Sequence, residues 1–354
     1  MIKVLGLALY GPMAASHRYR LRQYKEGLKE KGIDLEIFHL LGDDYLENKF
    51  SGKPIPIGSL FRNGFARLFH LLTKNTFDVS ILHCELFPFL PGVIEKILLP
   101  KPYIYDFDDA FYLKYRSGRF KFLSPFLNNK FNKIISGAAA VTAGNHHLVS
   151  YAKDFNKNTI YFPTVVDTEV YRLGSKEKVE TLCIGWVGSP STAPYLKQLI
   201  HPLSEFGKKN KVQLTVIGGD APEIPNIEVV SIPWKESDEV SNINRFDIGV
   251  MPLHDDEWSR GKCAFKLIQY MACGKPVIAS NVGANRDLIS PENGFLVNND
   301  VEWIQALEKI KNNPDFSRKL GINSRKTIEE SYSLKKNLPI LSNLIIDINR
   351  LHNR

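Results

Sequence analysis

The 354-residue sequence has few cysteines and no long apolar run, and both absences narrow the classes of protein it can belong to. Its four cysteines, Cys84, Cys183, Cys263 and Cys273, form no closely spaced pair, which disfavours a zinc site, a redox motif or a disulfide scaffold. We expect them to be reduced core residues of a cytoplasmic protein. No segment reaches the roughly 18 uncharged apolar residues of a membrane span, which predicts a soluble or peripheral protein.

Several catalytic and binding signatures are also missing. There is no Gly-x-Ser-x-Gly elbow and no Cys/His pair, which disfavours hydrolysis. No RNP-like, helix-turn-helix or zinc-finger pattern supports a nucleic-acid partner, although the basic composition would allow one. The adjacent His146 and His147 point apart on any regular element, so we expect no bound metal. No internal repeat or low-complexity segment is present.

The amino terminus mimics a signal peptide, with a lysine, an apolar run and small residues. The apolar run covers only residues 4–10, contains Gly6 and is broken by Gly11 and Pro12. These features favour a buried first strand and its turn over a secretion signal.

Positive charge is confined to the first half of the chain. Residues 1–165 hold 22 Lys and Arg against 14 Asp and Glu, whereas residues 166–354 hold 24 of each. The segment from Phe111 to Lys133 contributes six basic residues, no acidic ones and seven aromatics. Such a mixture suits an anionic membrane surface or an anionic lipid-linked acceptor. The alternative is a lysine-rich surface helix whose phenylalanines belong to the core.

Strand-length apolar runs alternate with helical stretches, which predicts an α/β fold with mostly parallel sheets. In the first half, the pattern predicts strands at 4–9, 35–39, 79–83, 103–105 and 139–142, and helices at 18–31, 92–98 and 146–153. A second set follows residue 165, with strands at 183–187, 213–217, 227–230, 248–251 and 276–279 and helices at 195–208, 238–244, 265–272, 301–312 and 316–331. Residues 335–350 are predicted to form a final helix, and residues 42–58 are predicted to be a loop.

Residues 260–280, RGKCAFKLIQYMACGKPVIAS, hold the strongest candidate site. If residues 263–273 are helical, Lys262, Lys266 and Gln269 fall within one narrow arc, opposite an apolar face. Gly274 can end the helix in the left-handed conformation, and Pro276 begins a short strand. Two ammonium groups and an amide would then form an anion and hydroxyl site. The alternative is an ordinary solvated helix face.

Small-residue turns ahead of two helices are candidate phosphate cradles. The first contains Gly11 and Ser16 and leads into Arg18 and Arg20, which are candidates to bind an acceptor phosphate or carboxylate, or else are surface arginines. The second runs from Gly185 to Thr192, GWVGSPST, and includes Gly188 and Ser189. Neither has the spacing of a known nucleotide-binding loop.

Three carboxylates end the strand in YDFDDA, residues 105–110. Asp106 and Asp108 share one face by alternation, and Asp109 lies at the turn. Asp108 and Asp109 are candidates to bind sugar hydroxyls or to handle an acceptor proton. The alternatives are a divalent metal or simple capping of a helix.

These motifs together resemble family 4 glycosyltransferases of the GT-B fold, in a branch with KCxFKLIQYMACGxPV at the donor site. The resemblance extends over nearly the whole chain through GPxxSxRYR, YDFDDA, AGNHHLVSYA, PTVVDTEVY and WVGSPST. Most of the wider family carries two glutamates eight positions apart, the second of which binds the ribose of the sugar nucleotide. The corresponding positions here are Gly261 and Gln269.

The resemblance implies two Rossmann-like, doubly wound domains that face a central cleft. These are an acceptor-side domain at 1–165, a donor domain at 166–334 and a helix at 335–354 that crosses back to the first domain. It implies catalytic roles for Lys262, Lys266, Asp108 and Asp109, with the two lysines stabilising the leaving diphosphate. Donor contacts are assigned to Gly11, Ser16, Gly188, Ser189, Pro233, Trp234, Arg260, Cys263 and Gln269, and acceptor contacts to Arg18 and Arg20.

The implied activity is retaining transfer of a sugar from a UDP- or GDP-linked donor to a glycan or polyprenyl-linked acceptor in bacterial surface polysaccharide synthesis. It needs neither a metal nor a cofactor beyond the nucleotide-sugar co-substrate. The implied location is the cytoplasm or the inner face of the cytoplasmic membrane. Rival hypotheses are a sugar-nucleotide epimerase, a phosphorylase, and a non-catalytic protein that binds membranes or nucleic acid.

Overall fold

A computed structural model describes residues 1–55, 57–73, 76–116, 118–174 and 180–353. The chain forms two compact units. Unit 1 contains Met1–Thr164, Gly261–Cys263 and Leu334–Arg354, and unit 2 contains Val165–Arg260 and Ala264–Ser333. The three residues Gly261–Cys263 therefore leave unit 2 and belong to unit 1, a return that the sequence pattern did not indicate.

Unit 1 is built on a six-stranded parallel sheet in the order β2-β1-β3-β4-β5-β6. Buried Val, Ile, Leu and Tyr side chains fill its strands, as expected of a parallel sheet covered on both faces. The strands are β1 Ile2–Tyr10, β2 Ile33–Leu41, β3 Val79–His83, β4 Tyr103–Phe107, β5 Ala140–Ala143 and β6 Thr159–Tyr161.

Helical segments of very different length connect these strands. A π-helical turn at His17–Leu21 and 3-10 turns at Arg22–Tyr24, Phe111–Leu113 and Gly118–Leu123 supplement the α-helices. The α-helices are α1 Lys25–Glu30, α2 Asp43–Phe50, α3 Ile57–Thr73, α4 Gly92–Leu98, α5 Ser124–Leu127, α6 Lys130–Gly137 and α7 His146–Lys153.

Unit 2 repeats the architecture with a second six-stranded parallel sheet, in the order β12-β11-β10-β7-β8-β9. Ile184, Leu214 and Ile248 form the centre of its core, together with Trp186 and Trp303. The strands are β7 Leu182–Val187, β8 Val212–Ile217, β9 Glu228–Ile232, β10 Ile248–Met251, β11 Val277–Ser280 and β12 Gly294–Val297.

The helices of unit 2 include two 3-10 segments, Ala193–Leu199 and Glu236–Asp238. The α-helices are α8 Ile200–Gly207, α9 Glu239–Asn244, α10 Glu257–Arg260, α11 Phe265–Ala272, α12 Asn285–Leu288, α13 Asp300–Asn312 and α14 Pro314–Ser331. The last helix, α15 Leu334–His352, belongs to unit 1, where it contacts α1 and β3.

The predicted α/β class with two doubly wound sheets is confirmed, and most predicted elements are present. The predicted loop at 42–58 is wrong, because α2 begins at Asp43, where two acidic residues in the first turn suit the positive end of a helix dipole. Residue 56 of that range lies outside the described residues. The short strands β6 and β12 and the whole of α3 were not predicted.

The two sheet orders determine where ligands can bind. In an open parallel sheet, a crevice forms beyond the carboxyl ends of the strands at the point where the strand order reverses. This point lies between β1 and β3 in unit 1 and between β7 and β10 in unit 2. Among the described residues no helix is long and apolar enough to cross a bilayer.

Close packing at Gly185 provides a test of the unit 2 fold. A Cβ atom at this position in β7 would lie 1.9 Å from the Phe246 ring. We expect Gly185→Ala to lower the free energy of unfolding by about 2 kcal/mol through overpacking. Gly64 in α3 is the matched control, since a Cβ there meets no atom within 4 Å. We expect Gly64→Ala to raise stability by about 0.5 kcal/mol in urea unfolding. Equal effects of the two substitutions would contradict the packing.

Candidate active site

In unit 1, the buried carboxylate of Asp106 on β4 binds groups from the two neighbouring strands and from the first helical turn. Arg20 donates to both carboxylate oxygens, with Nε 3.0 Å from Oδ2 and Nη2 on Oδ1. Thr142 Oγ1 on β5 donates to Oδ1 at 2.6 Å, and His83 Nδ1 on β3 donates to Oδ2 at 2.8 Å. Burial alone would raise the pKa of Asp106, but Arg20 and His83 outweigh it and hold that pKa well below its usual range.

Arg20 therefore has a different position from the one predicted for an acceptor-binding residue. Its side chain is fully buried, and Nη1 donates to Phe162 O at 2.8 Å while the guanidinium lies over the Phe162 ring. All of these partners are protein groups of unit 1. The predicted direct contact with an acceptor is wrong, and Arg20 acts instead by orienting Asp106.

His83 is a functional candidate that sequence reasoning missed. It ends the apolar strand β3 and is 2% exposed. Its Nε2 has no hydrogen-bond partner among the residues that the structure describes, and it lies 3.7 Å from Oδ1 of Asp108, which is partly exposed. Asp106 fixes the imidazole from the Nδ1 side, so Nε2 is directed toward the Asp108 carboxylate. The sequence did offer one sign of this role, because His83 is a polar residue at the carboxyl end of the apolar strand β3.

Asp109 lies in the turn after β4 and faces Lys262. The Lys262 Nζ atom is 3.6 Å from Oδ2, and the Ala110 amide donates to Oδ1 at 2.9 Å. Burial raises the pKa of Asp109; Lys262 lowers it in part and Asp108 raises it again, so that the net shift is upward. A carboxyl group with a raised pKa suits proton transfer near neutral pH.

The segment Gly261–Cys263 is held in unit 1 by close contacts. A Cβ at Gly261 would lie 2.5 Å from Ala110 Cβ, so no larger residue fits at this position without a shift. The Cys263 thiol donates to Asp108 O at 2.9 Å, and Asn145 Nδ2 donates to Lys262 O at 2.9 Å. Burial raises the pKa of Cys263 well above its usual range, which makes it a packing residue with an inert thiol.

The predicted polar stripe on one helix is therefore wrong. Ala264 has a left-handed backbone with φ of 53°, and α11 begins only at Phe265. Lys262 lies outside the helix and in unit 1, whereas Lys266 and Gln269 belong to α11 in unit 2. The helix stop was predicted correctly, since Gly274 has φ of 67° and β11 follows.

The loop after β1 is not the open phosphate cradle that was predicted. Asp43 Oδ1 accepts a hydrogen bond from the Met13 amide at 2.8 Å, and a Cβ at Gly11 would lie 2.6 Å from the same oxygen. A carboxylate already occupies this loop. Arg18 is also buried, and it donates to the carbonyl oxygens of Pro12 and Met13. Ser16 makes no side-chain cap, so this loop offers little to a diphosphate.

In unit 2, the turn after β7 and the start of α11 lie against the same indole. A Cβ at Gly188 would lie 2.2 Å from the Trp186 ring, and Lys266 Nζ is 5.4 Å from the centre of that ring. The Ser189 amide donates to Thr192 Oγ1, and the Ser189 and Ser191 hydroxyls are 2.8 Å apart. The turn therefore presents hydroxyl groups near the partly exposed Lys266, at the switch point of the sheet between β7 and β10.

Gln269 is buried in a hydrogen-bond network. Its Nε2 donates to Tyr171 Oη at 2.8 Å, and Tyr171 in turn donates to Glu239 Oε2 at 2.9 Å. Trp234 Nε1 donates to the other oxygen of Glu239 at 2.9 Å. The Gln269 Oε1 atom accepts no hydrogen bond from the described residues. Gln269 lies about one turn from Lys266 along α11.

The other predicted donor contacts, Arg260, Pro233 and Trp234, differ in exposure. Arg260 is exposed and its Nε donates to Asp255 at 2.7 Å, so it lies in a surface ion pair. Pro233 is exposed after β9, and the neighbouring Trp234 is half-buried. No group of three or more His, Cys, Asp or Glu side chains in the described part of the chain is arranged to hold a metal ion.

Comparisons with known proteins identify the class to which this architecture belongs. Residues 181–313 match the family model described as Glycosyl transferases group 1. Sucrose-phosphate synthase from Thermosynechococcus elongatus shares the fold with a TM-score of 0.71, at 14% identity over 98% of this chain and 99% of that one. HepE from Anabaena, in complex with UDP and glucose, has a TM-score of 0.67 at 14% identity, over 97% and 99% of the chains.

WaaG, a glycosyltransferase involved in lipopolysaccharide biosynthesis, has a TM-score of 0.67 at 13% identity over 97% of this chain and 99% of WaaG. The fold is therefore that of the GT-B glycosyltransferases. Within it, residues 181–313 match the model of the group 1 glycosyltransferases, in agreement with the resemblance seen in the sequence.

A curated relative gives a more local match. Alpha-1,3/1,6-mannosyltransferase ALG2 of Dictyostelium discoideum is 34% identical over 86 residues, which are 24% of this chain. The match spans 20% of the length of ALG2.

The hydrogen bonds around Glu239 account for the amide at position 269. They also predict which second substitution would allow a carboxylate at that position. Because Tyr171 donates its only hydroxyl hydrogen to Glu239, a glutamate at 269 would leave one of two buried carboxylates without that donor. We expect Gln269→Glu to lower the free energy of unfolding by about 2 kcal/mol.

The Gln269→Glu/Glu239→Gln double variant should recover most of this loss, because the amide now at position 239 can donate to Tyr171 while Tyr171 donates to the carboxylate now at position 269. A double-mutant cycle of urea unfolding measures the coupling. Strictly additive losses would contradict the network.

Proposed function

We propose that the protein is a retaining glycosyltransferase that transfers a sugar from a UDP- or GDP-linked donor to a glycan or polyprenyl-linked acceptor. The observation that carries this proposal is the pair of Lys266 and Gln269 on α11, within the segment that matches the group 1 family. Lys266 supplies a cation, and Gln269 supplies an oxygen that accepts no hydrogen bond from the described residues. In this proposal unit 2 binds the donor and unit 1 binds the acceptor.

In the donor site, the Gln269 Oε1 atom accepts a hydrogen bond from a ribose hydroxyl. Tyr171 holds the amide in this orientation, so the oxygen needs no rearrangement when the nucleotide binds. Lys266 and the hydroxyls of Ser189 and Ser191 bind the diphosphate. Trp234 and Pro233 line the position of the base, with the indole fixed by Glu239.

The chemical step needs stabilisation of the charge that develops on the leaving diphosphate. Lys266 supplies it, because a fixed ammonium group next to the indole of Trp186 is already in place before the bond breaks. The bond from the anomeric carbon to the diphosphate oxygen breaks, and a bond from the acceptor hydroxyl oxygen forms on the same face. The hydroxyl proton passes to the departing diphosphate, so no protein nucleophile is required.

On the acceptor side, the carboxylates after β4 are the groups that bind hydroxyls. Asp108 and Asp109 accept from the acceptor sugar, with His83 beside Asp108 and Lys262 beside Asp109. Lys262 is proposed here as the partner that keeps Asp109 in position, rather than as a second cation on a shared helix. The reaction uses no metal and no cofactor besides the nucleotide sugar, so EDTA leaves turnover unchanged.

The proposed cellular role is synthesis of a bacterial surface polysaccharide from the cytoplasmic side of the membrane. The names of WaaG and ALG2 support a glycan product, and HepE bound to UDP supports a UDP-linked donor.

A membrane contact through residues 111–133 has partial support, because Phe122 and Phe126 are exposed. Lys114 and Lys130 of that segment are instead paired with the buried Glu85, and Phe131 belongs to the core. Residue 117 lies outside the described residues.

The role of Lys266 is tested by its removal. We expect Lys266→Ala to lower kcat by about 100-fold, as loss of one group that stabilises a developing anion does. The assay measures sugar release from a panel of UDP- and GDP-sugars with acceptor. Lys326→Ala is the matched control, because Lys326 is exposed on α14 and makes only a weak surface pair with Glu330. Near-normal turnover of Lys266→Ala would remove Lys266 from the mechanism.

A thermal-shift screen of nucleotides and nucleotide sugars tests the donor site itself. We expect UDP or GDP to raise the unfolding midpoint, and Gln269→Ala to reduce the shift. Release of hexose phosphate from glycan and inorganic phosphate would indicate a phosphorylase, and conversion of the donor without acceptor an epimerase. No shift with any nucleotide would favour a non-catalytic binding protein.

A further inference from the structure

Helix α3 of unit 1 exposes a row of large apolar side chains. Phe61, Phe65 and Phe69 are 64%, 70% and 70% exposed, and Leu72 is 66% exposed. Their spacing of four, four and three residues places them on one side of the helix. We call these four residues the α3 apolar face. Single exposed apolar residues are ordinary, but three aligned phenylalanines indicate a surface that is covered by something.

The opposite side of α3 fixes the helix so that these rings cannot turn inward. Arg67 is buried and donates to the carbonyl oxygens of Ala8 and Phe38 at 2.6 and 2.8 Å, and to Leu86 O at 3.2 Å. The rings of His70 and Phe38 have centroids 3.8 Å apart. Any rotation of α3 about its axis would break these bonds to the sheet and leave several polar groups without partners. The exposure of the α3 apolar face is therefore built into the fold.

The basic residues in and next to α3 indicate which kind of partner the α3 apolar face fits. Residues 51–77 contain four basic residues, Lys53, Arg62, Arg67 and Lys74, and no acidic residue. Arg62 is exposed beside Phe61 and Phe65 and has no ion-pair partner among the described residues. If α3 packed against α3 of a second copy, the two Arg62 side chains would approach each other, and α3 itself has no carboxylate to pair with them. An anionic lipid surface, in contrast, offers phosphate to Arg62 and an acyl boundary to the rings.

The distribution of exposed aromatics over the chain points the same way. Every exposed phenylalanine of the described residues lies in unit 1, at positions 50, 61, 65, 69, 89, 122, 126 and 155. Unit 1 also carries the net positive charge of the first half of the sequence. Residues 111–133 provide two of these rings, whereas α3 provides three on a single rigid face.

We propose that the α3 apolar face docks unit 1 onto an anionic membrane, with Phe61, Phe65 and Phe69 inserted at the level of the headgroups. The segment 111–133 is then an accessory contact and α3 is the principal one. This binding does not depend on the proposed transferase activity and is measured without donor or acceptor.

Vesicle sedimentation tests the proposal directly. The full chain is mixed with vesicles of phosphatidylcholine alone or of phosphatidylcholine with phosphatidylglycerol at about 3:1, a composition chosen to give an anionic surface. We expect binding to the anionic vesicles, and a loss of at least about tenfold in partitioning for the triple variant Phe61→Ser/Phe65→Ser/Phe69→Ser. Arg62→Glu should reduce binding to anionic vesicles by about fivefold and leave binding to neutral vesicles unchanged.

Matched variants separate this surface from the others. Phe122→Ser/Phe126→Ser should lose less than the triple variant, and Val301→Ser/Ile322→Ser, which removes two exposed residues of unit 2, should bind as the unchanged protein does. Unchanged thermal midpoints and nucleotide shifts would show that the triple variant is folded and that its donor site is intact.

Three results would overturn the proposal. They are wild-type binding by the triple variant, no binding by the unchanged protein, and a dimer in analytical ultracentrifugation that the triple variant abolishes.

Discussion

The Asp106 carboxylate organises the carboxyl edge of the unit 1 sheet. It sits at the end of β4, and its partners come from the turn after β1, from β3 and from β5, while Arg20 extends the network to Phe162 beyond β6. A buried charge with so many donors is costly to leave unpaired, so these groups are fixed together. The loops that follow β1, β3, β4 and β5 are thereby held in fixed positions relative to one another. The position of His83 beside Asp108 is a consequence of this single carboxylate.

Glu239 has the same organising role in unit 2. It accepts from Tyr171 and from Trp234, and through Tyr171 it determines which face of the Gln269 amide remains open. This arrangement favours an amide over a second carboxylate at position 269. At position 261 the constraint is steric, because Ala110 leaves no room for a side chain. Local hydrogen bonding and packing thus account for the residues at both positions.

The sequence predicted the fold class and most strands because parallel sheets require continuous apolar runs, which a single sequence displays directly. It could not predict the burial of Arg20, because its partner lies 86 residues away. The helical periodicity placed Lys262 beside Lys266, but the left-handed turn at Ala264 separates them. Helix α3 was missed although its phenylalanines recur at helical spacing, and the sequence could not show that this apolar side faces solvent instead of the core. The proposed membrane contact would give this exposed side a partner.

A crystal structure of the protein with UDP tests the proposed donor site at Gln269 and Lys266 most directly. We expect a ribose hydroxyl within about 3.2 Å of Gln269 Oε1 and a diphosphate oxygen within about 4 Å of Lys266 Nζ. We also expect the hydrogen bond from Gln269 Nε2 to Tyr171 to persist in the complex. A nucleotide bound elsewhere, or a Gln269 amide turned so that its nitrogen faces the ribose, would contradict this donor site.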